Sequence, residues 1–232
     1  MNTNKNSYTL IYAVVMVVVV ALLLALVSSG LKDIQNNNVK LDKKKQILSS
    51  LNIQLDGQDA NTLYEQHIVK ELVLNVKGEV LSEKMGEAFV IDVIKENAKA
   101  EAERQLPLYV AEVDGQTKYI ITMRGAGLWG PIWGYIALND DKNTVFGTYF
   151  SHASETPGLG AEIALPAFQN KFVGKHILND ARDFVSIAVM KPGQTAEGQD
   201  YVDGISGGTI TSKGVEAMLL KSIGQYEAYL KN

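Results

Sequence analysis

The sequence predicts an α+β fold: a single N-terminal transmembrane helix, then one domain built on an antiparallel sheet with flanking helices. Three observations predict it. Residues 10–27, LIYAVVMVVVVALLLALV, form an 18-residue apolar run inside a charge-free gap from Lys5 to Lys32. Between positions 108 and 150, β-prone runs alternate with short polar turns. Over 211–230, Val215, Met218, Leu219, Leu220, Ile223 and Tyr226 recur at helical spacing.

The elements follow in order. A helix over 10–27 rises about 27 Å, close to the roughly 30 Å hydrocarbon core. Tyr8 and Tyr12 sit where interfacial aromatics anchor a span. The run exceeds the apolar region of a signal peptide, about 7–15 residues, and Ser28-Ser29-Gly30 makes a poor cleavage site, so residues 1–31 read as a retained anchor. Lys32, Lys40, Lys43, Lys44 and Lys45 against Lys5 lean toward a cytoplasmic domain, by a count that large domains often override. Residues 32–58 read as a stalk, with a helix over 36–51 and a solvated lysine face.

Residues 59–232 read as the domain. It opens with a short helix over 59–67, capped by Asp59 or Asn61, and a β-prone stretch over 68–76 that Gly78 ends. Residues 89–102 fit either strand or helix. Strands over 108–113 and 119–123 flank Asp114-Gly115, a hairpin turn pair. GAGLWGPIWG at 125–134 reads as a loop, and strands over 135–138 and 144–150 follow, joined by a polar turn. A short helix over 162–173, interrupted near Pro166, a strand over 184–190 and the helix over 211–230 complete the list.

Composition excludes several functions. Among 232 residues there is no cysteine, which removes disulfides, thiolate metal sites, cysteine-held iron–sulfur clusters and thiol nucleophiles. Three scattered histidines, His67, His152 and His176, are few for a metal enzyme. The formal charge of −4 argues against nucleic-acid binding, which wants a basic stripe. No Ser/His/Asp spacing supports a hydrolase.

Three segments do not read as scaffold: GAGLWG at 125–130, HASETPGLG at 152–160 and DGISGGTITS at 203–212. In the last, Gly204, Gly207 and Gly208 permit close backbone approach, and Ser206, Thr209, Thr211 and Ser212 supply hydroxyls ahead of a helix. Such a start suits an anion such as phosphate. It equally suits a capping loop with Thr211 or Ser212 as the cap. Trp129 and Trp133 offer large planes that either stack on an aromatic ligand or cover the core.

Taken together, these segments resemble the C subunits of Na+-translocating NADH:quinone oxidoreductases. The last resembles the Asp-Gly-x-Ser/Thr-Gly-Ala-Thr signature of FMN-binding domains, with Gly208 in place of the alanine. The resemblance implies FMN joined by a phosphoester to Thr209, with Asp203, Gly204, Ser206 and Gly207 in register. A Mg2+-dependent flavin transferase that uses FAD would install it. It further implies a ring slot near Leu128, Trp129, Glu155, Thr156 and Leu159, with Thr211 at the polar edge and Lys191 as a nearby cation. Implied partners are the other subunits of the complex, the transferase and membrane lipid. The implied role is electron relay, from a single-pass anchor in the bacterial inner membrane with a periplasmic domain. Two rivals stand beside it: the G subunit of an Rnf-type ferredoxin:NAD+ oxidoreductase, and a cofactor-free membrane-anchored binding module.

Overall fold

The computed structural model describes residues 6–232, so Lys5 lies outside the described residues. Helix α1 runs unbroken over Asn6–Ser50. The helix expected over 36–51 is the C-terminal part of this one helix. Among the described residues, α1 alone is long and apolar enough to cross a membrane, by length and composition. It ends where Asn52 takes a left-handed φ of 58° and Ile53 N–H donates to Leu48 C=O at 3.1 Å. The chain divides into two compact units, residues 1–43 and 44–232.

In the second unit, α2 (Ala60–His67) is capped by Asp59, whose carboxylate accepts from Thr62 N–H at 3.2 Å. Strands β1 (Ile68–Leu74) and β2 (Val80–Ser82) follow. The ambiguous stretch resolves into short helices, α3 (Glu87–Val90), α4 (Val93–Asn97) and a 3-10 turn at Glu101–Glu103. Then come β3 (Leu106–Val113), β4 (Gln116–Ala126), β5 (Pro131–Leu138) and β6 (Val145–His152). The sheet order is β2-β1-β3-β4-β5-β6, antiparallel throughout. Asp114 and Gly115 both take positive φ, 52° and 73°, as the two-residue β3–β4 hairpin requires.

Both faces of the sheet are covered. One carries Leu108, Ile121, Met123, Ile136 and Phe150 against the terminal helix, α6 (Thr209–Gly224). On the other, Glu71, Tyr109 and Tyr135 lie under the end of α1, α2 and α3: Tyr64 Oη donates to Glu71 at 2.9 Å, and Ile47, Leu48, Leu51 and Leu63 are buried. This double cover explains why residues 106–111 of β3 are all buried instead of alternating.

The structure corrects four expectations. The loop expected over 125–134 shrinks to residues 127–130, because β4 continues to Ala126 and β5 starts at Pro131. Trp133 is therefore a strand residue, packed under Arg124 and donating to Gln46 Oε1 at 3.2 Å. The helix over 162–173 is three short turns, Gly160–Ala164, α5 (Pro166–Gln169) and Asn170–Phe172, because Pro166 starts a turn. The strand over 184–190 is only β7 (Ala188–Met190), since Ser186 has φ 61°; β7 pairs in parallel with β8 (Tyr201–Asp203). The terminal helix begins two residues early, at Thr209, and breaks at Gly224 before α7 (Glu227–Leu230).

Candidate functional site

The three glycine-rich segments converge at the N-terminus of α6. β8 delivers 203–212: Gly204 N–H donates to Met190 C=O at 2.7 Å, and Lys171 Nζ donates to Asp203 C=O at 3.1 Å. Ser206 is exposed, and Gly207 takes φ 75°. A Cβ on Gly207 would stand 2.7 Å from Leu159 Cδ2, which is how closely the second segment lies against the third. Gly208 is the buried N-cap of α6.

The capping reading fails in its expected form. No side chain caps α6. Thr211 is buried and its hydroxyl donates to Glu155 Oε2 at 2.5 Å, while Ser212 Oγ accepts from Ile205 N–H at 2.9 Å. Thr209, the first residue of the helix, is exposed. A cavity of about 260 Å³ lies beside it, lined among others by Lys191, Ser206, Gly207 and Lys213. Lysine at 191 thus shares a cavity wall with Thr209.

The three segments also expose apolar side chains: Leu128, Trp129, Leu159 and Ile210 are all exposed, Trp129 to 66%. The loop that displays Trp129 is a tight turn closed by Gly127 N–H to Gly130 C=O at 2.8 Å. Glu155 fastens it: Oε1 accepts from Trp129 N–H at 2.8 Å. Thr156 is exposed, and its carbonyl accepts from Leu159 and Ala161 N–H at 3.1 Å, shaping the turn that carries Leu159.

Glu155 joins all three segments. Burial alone would raise its carboxyl, but the Thr211 hydroxyl, the Trp129 and Gly130 N–H groups and nearby His152 outweigh that and hold it below the ordinary glutamate range. Sequence reasoning places Glu155 and Thr211 beside a ligand; the structure shows their polar atoms bonded to each other. Ser212, Lys213, Gly127 and Gly160 also shape the site. Gly127, Gly160 and Ser212 lie within the three segments; Lys213, just past the third, carries no signal beyond that position.

Residues 127–224 match the model of the FMN-binding domain family. The whole chain is 31% identical to the C subunit of the Na(+)-translocating NADH-quinone reductase of Pseudomonas aeruginosa, covering 97% of that protein. It is 32% identical to the protein of the same name in Haemophilus ducreyi, over 93% of this chain and 88% of that one. The crystal structure of the C subunit of the Na(+)-translocating NADH-quinone reductase from Parabacteroides distasonis matches with 50% identity and a TM-score of 0.81, covering 87% of this chain and 98% of that one.

Proposed function

The chain belongs to the family of Na+-translocating NADH-quinone reductase C subunits, and on that premise we propose that it is a membrane-anchored flavoprotein subunit whose Thr209 carries FMN by a phosphoester and relays electrons within the complex. One observation carries the reading. Thr209 stands exposed on the first residue of a helix that no side chain caps, on the wall of a cavity that Lys191 and Lys213 also line.

Each part of this arrangement suits one part of the cofactor. The first-turn N–H groups of α6 suit phosphate oxygens, and the helix dipole adds about 0.3–1 kcal/mol for a negative charge. Lys191 offsets the remaining charge of a diester from the cavity side, whereas Lys213, on the same wall, is paired with Glu216 Oε2 at 2.8 Å. Gly204, Gly207 and Gly208 let the backbone come close, and Ser206 adds an exposed hydroxyl. Leu128, Trp129 and Leu159 offer exposed apolar surface for a flat ring, and Thr156 an exposed hydroxyl on the turn that carries Leu159. Asp203 positions the loop through its carbonyl contact with Lys171. FMN held there supplies one- and two-electron transfer that the side chains of a cysteine-free protein do not. The protein's own work is to hold, orient and present it.

Attachment balances as a displacement. Thr209 Oγ forms a bond to the FMN phosphorus of FAD, the P–O–P bond breaks, AMP leaves, and the hydroxyl proton passes to a base of the flavin transferase. α1 serves as the lipid-embedded anchor in the inner membrane, and the domain faces the periplasm, against the lysine count of the sequence. A topology reporter at the C-terminus tests that side; cytoplasmic signal would overturn it.

The main test is intact mass after co-expression with a flavin transferase. Wild type should gain one FMN on the peptide containing Thr209 and fluoresce as a denatured gel band; Thr209→Ala should do neither. An unmodified wild type, or a flavinylated Thr209→Ala, would overturn the proposal.

A further inference from the structure

Glu155 is a charged side chain only 5% exposed, and hydrogen-bond donors, instead of a lysine or arginine, meet its oxygens. Its surroundings are shaped for a carboxylate. A Cβ on Gly127 would stand 2.5 Å from Oε1, and one on Gly160 would run into Oε2 and stand 2.5 Å from Thr211 Oγ1. At either position a side chain would require the carboxylate to shift. The neighbouring residue completes the grip: Ser154 Oγ donates to Trp129 C=O at 3.0 Å. Consecutive residues therefore hold the N–H and the C=O of Trp129, while its indole stays in solvent. A large apolar ring displayed on a backbone fixed at both ends is presented for contact; a mobile surface tryptophan needs no such fastening. The same carboxylate reaches the third residue of α6 through Thr211.

We propose that Glu155 is a positioning residue: its carboxylate ties the Trp129 loop to the first turn of α6, so that the indole and the Thr209 hydroxyl keep one fixed relation. This rests on the reading of Thr209 as the flavin carrier. Because the tie is a buried anion bonded to the backbone of Trp129, where that reading puts the ring, it also opposes the arrival of electrons there, and so biases a bound flavin toward its oxidised form.

The test uses the full chain in detergent, flavin-free and flavin-loaded, as wild type, Glu155→Gln and Glu155→Asp. In the flavin-free chain, Glu155→Gln turns an amide toward a donor, and amide exchange over residues 127–130 should rise about tenfold or more. In the loaded chain, the flavin midpoint potential should move positive in Glu155→Gln. Glu155→Asp keeps the charge but shortens the reach, so exchange should rise while the potential stays near wild type. A merely structural role moves stability and leaves the potential alone. Unchanged exchange in Glu155→Gln, or an unchanged potential in a folded Glu155→Gln, overturns the proposal. Should the glutamine variant not fold, Thr211→Val carries the test: loosening the α6 end of the tie should also raise exchange at 127–130, and unchanged exchange overturns it. If mass analysis finds flavin elsewhere than on Thr209, the reading of Thr209 fails, and the exchange arm still decides the tie.

Discussion

Replacing Thr211 by valine keeps the branched shape and removes one oxygen. In the wild type that oxygen donates to Glu155 Oε2 at 2.5 Å, between side chains 1% and 5% exposed. A hydrogen bond to a charged acceptor contributes about 1.5–3 kcal/mol, and losing it leaves the carboxylate buried with one donor fewer. Trp129 N–H still holds Oε1. Unfolding free energy near pH 7 should therefore fall by about 1.5–3 kcal/mol. The pH dependence carries a sign. Glu155 is held below its ordinary value, so in the wild type its contribution is present above about pH 4.5 and is lost as pH falls through the lowered folded value. In the variant, burial is less well opposed, the carboxyl titrates higher, and the contribution is lost earlier on acidification. The gap between the proteins should be full near neutrality and should close toward acid, where both carboxyls are protonated. Urea denaturation in detergent, followed by tryptophan fluorescence across that range, reads both effects. A difference under about 0.5 kcal/mol at neutral pH, or one that stays constant into acid, would refute a charge-assisted bond at this position.

Two other substitutions probe the same logic. Gly160→Ala pushes a methyl into Glu155 Oε2 and Thr211 Oγ1, and should cost about 1–3 kcal/mol, read as a lower thermal midpoint; a midpoint at the wild-type value would show that the carboxylate can yield. Glu71→Gln disturbs a carboxylate 2% exposed that accepts from Tyr64 Oη, Gly86 N–H and Phe89 N–H at 2.9, 3.0 and 2.9 Å, so stability should drop by about 1–3 kcal/mol with faster amide exchange over 86–89.

What was legible in the sequence was local. Asp114-Gly115 fixes a hairpin because two consecutive positive φ angles suit few residue pairs. The apolar run at 10–27 announces its helix by length alone. What was not legible depended on distant partners. Gly125 and Gly134 look like loop residues, yet both lie in strands: a Cβ on Gly125 would stand 2.7 Å from Met218 Cβ, and one on Gly134 would run into Tyr149 C=O. Glycine there answers close packing, which a sequence window cannot separate from flexibility. The burial of Glu71 and Tyr109 needs the cover given by α2 and α3, elements far from β3 in sequence or too short to show a period.

The candidate site divides along the same line. Its three segments stand out in the sequence because glycines and hydroxyls cluster there without apolar periodicity. Their junction does not, because it lies across the sheet: Glu155 follows the end of β6, Trp129 sits between β4 and β5, and Thr211 is in α6. Only register brings them together, with β5 pairing on one side to β4 and on the other to β6, and α6 crossing β4. A carboxylate at such a junction is worth its desolvation only when several donors converge on it, since burial alone would push its proton back on. The two glycines that clear space for its oxygens are thus part of the same device, and substituting either one should weaken the tie as surely as removing the charge.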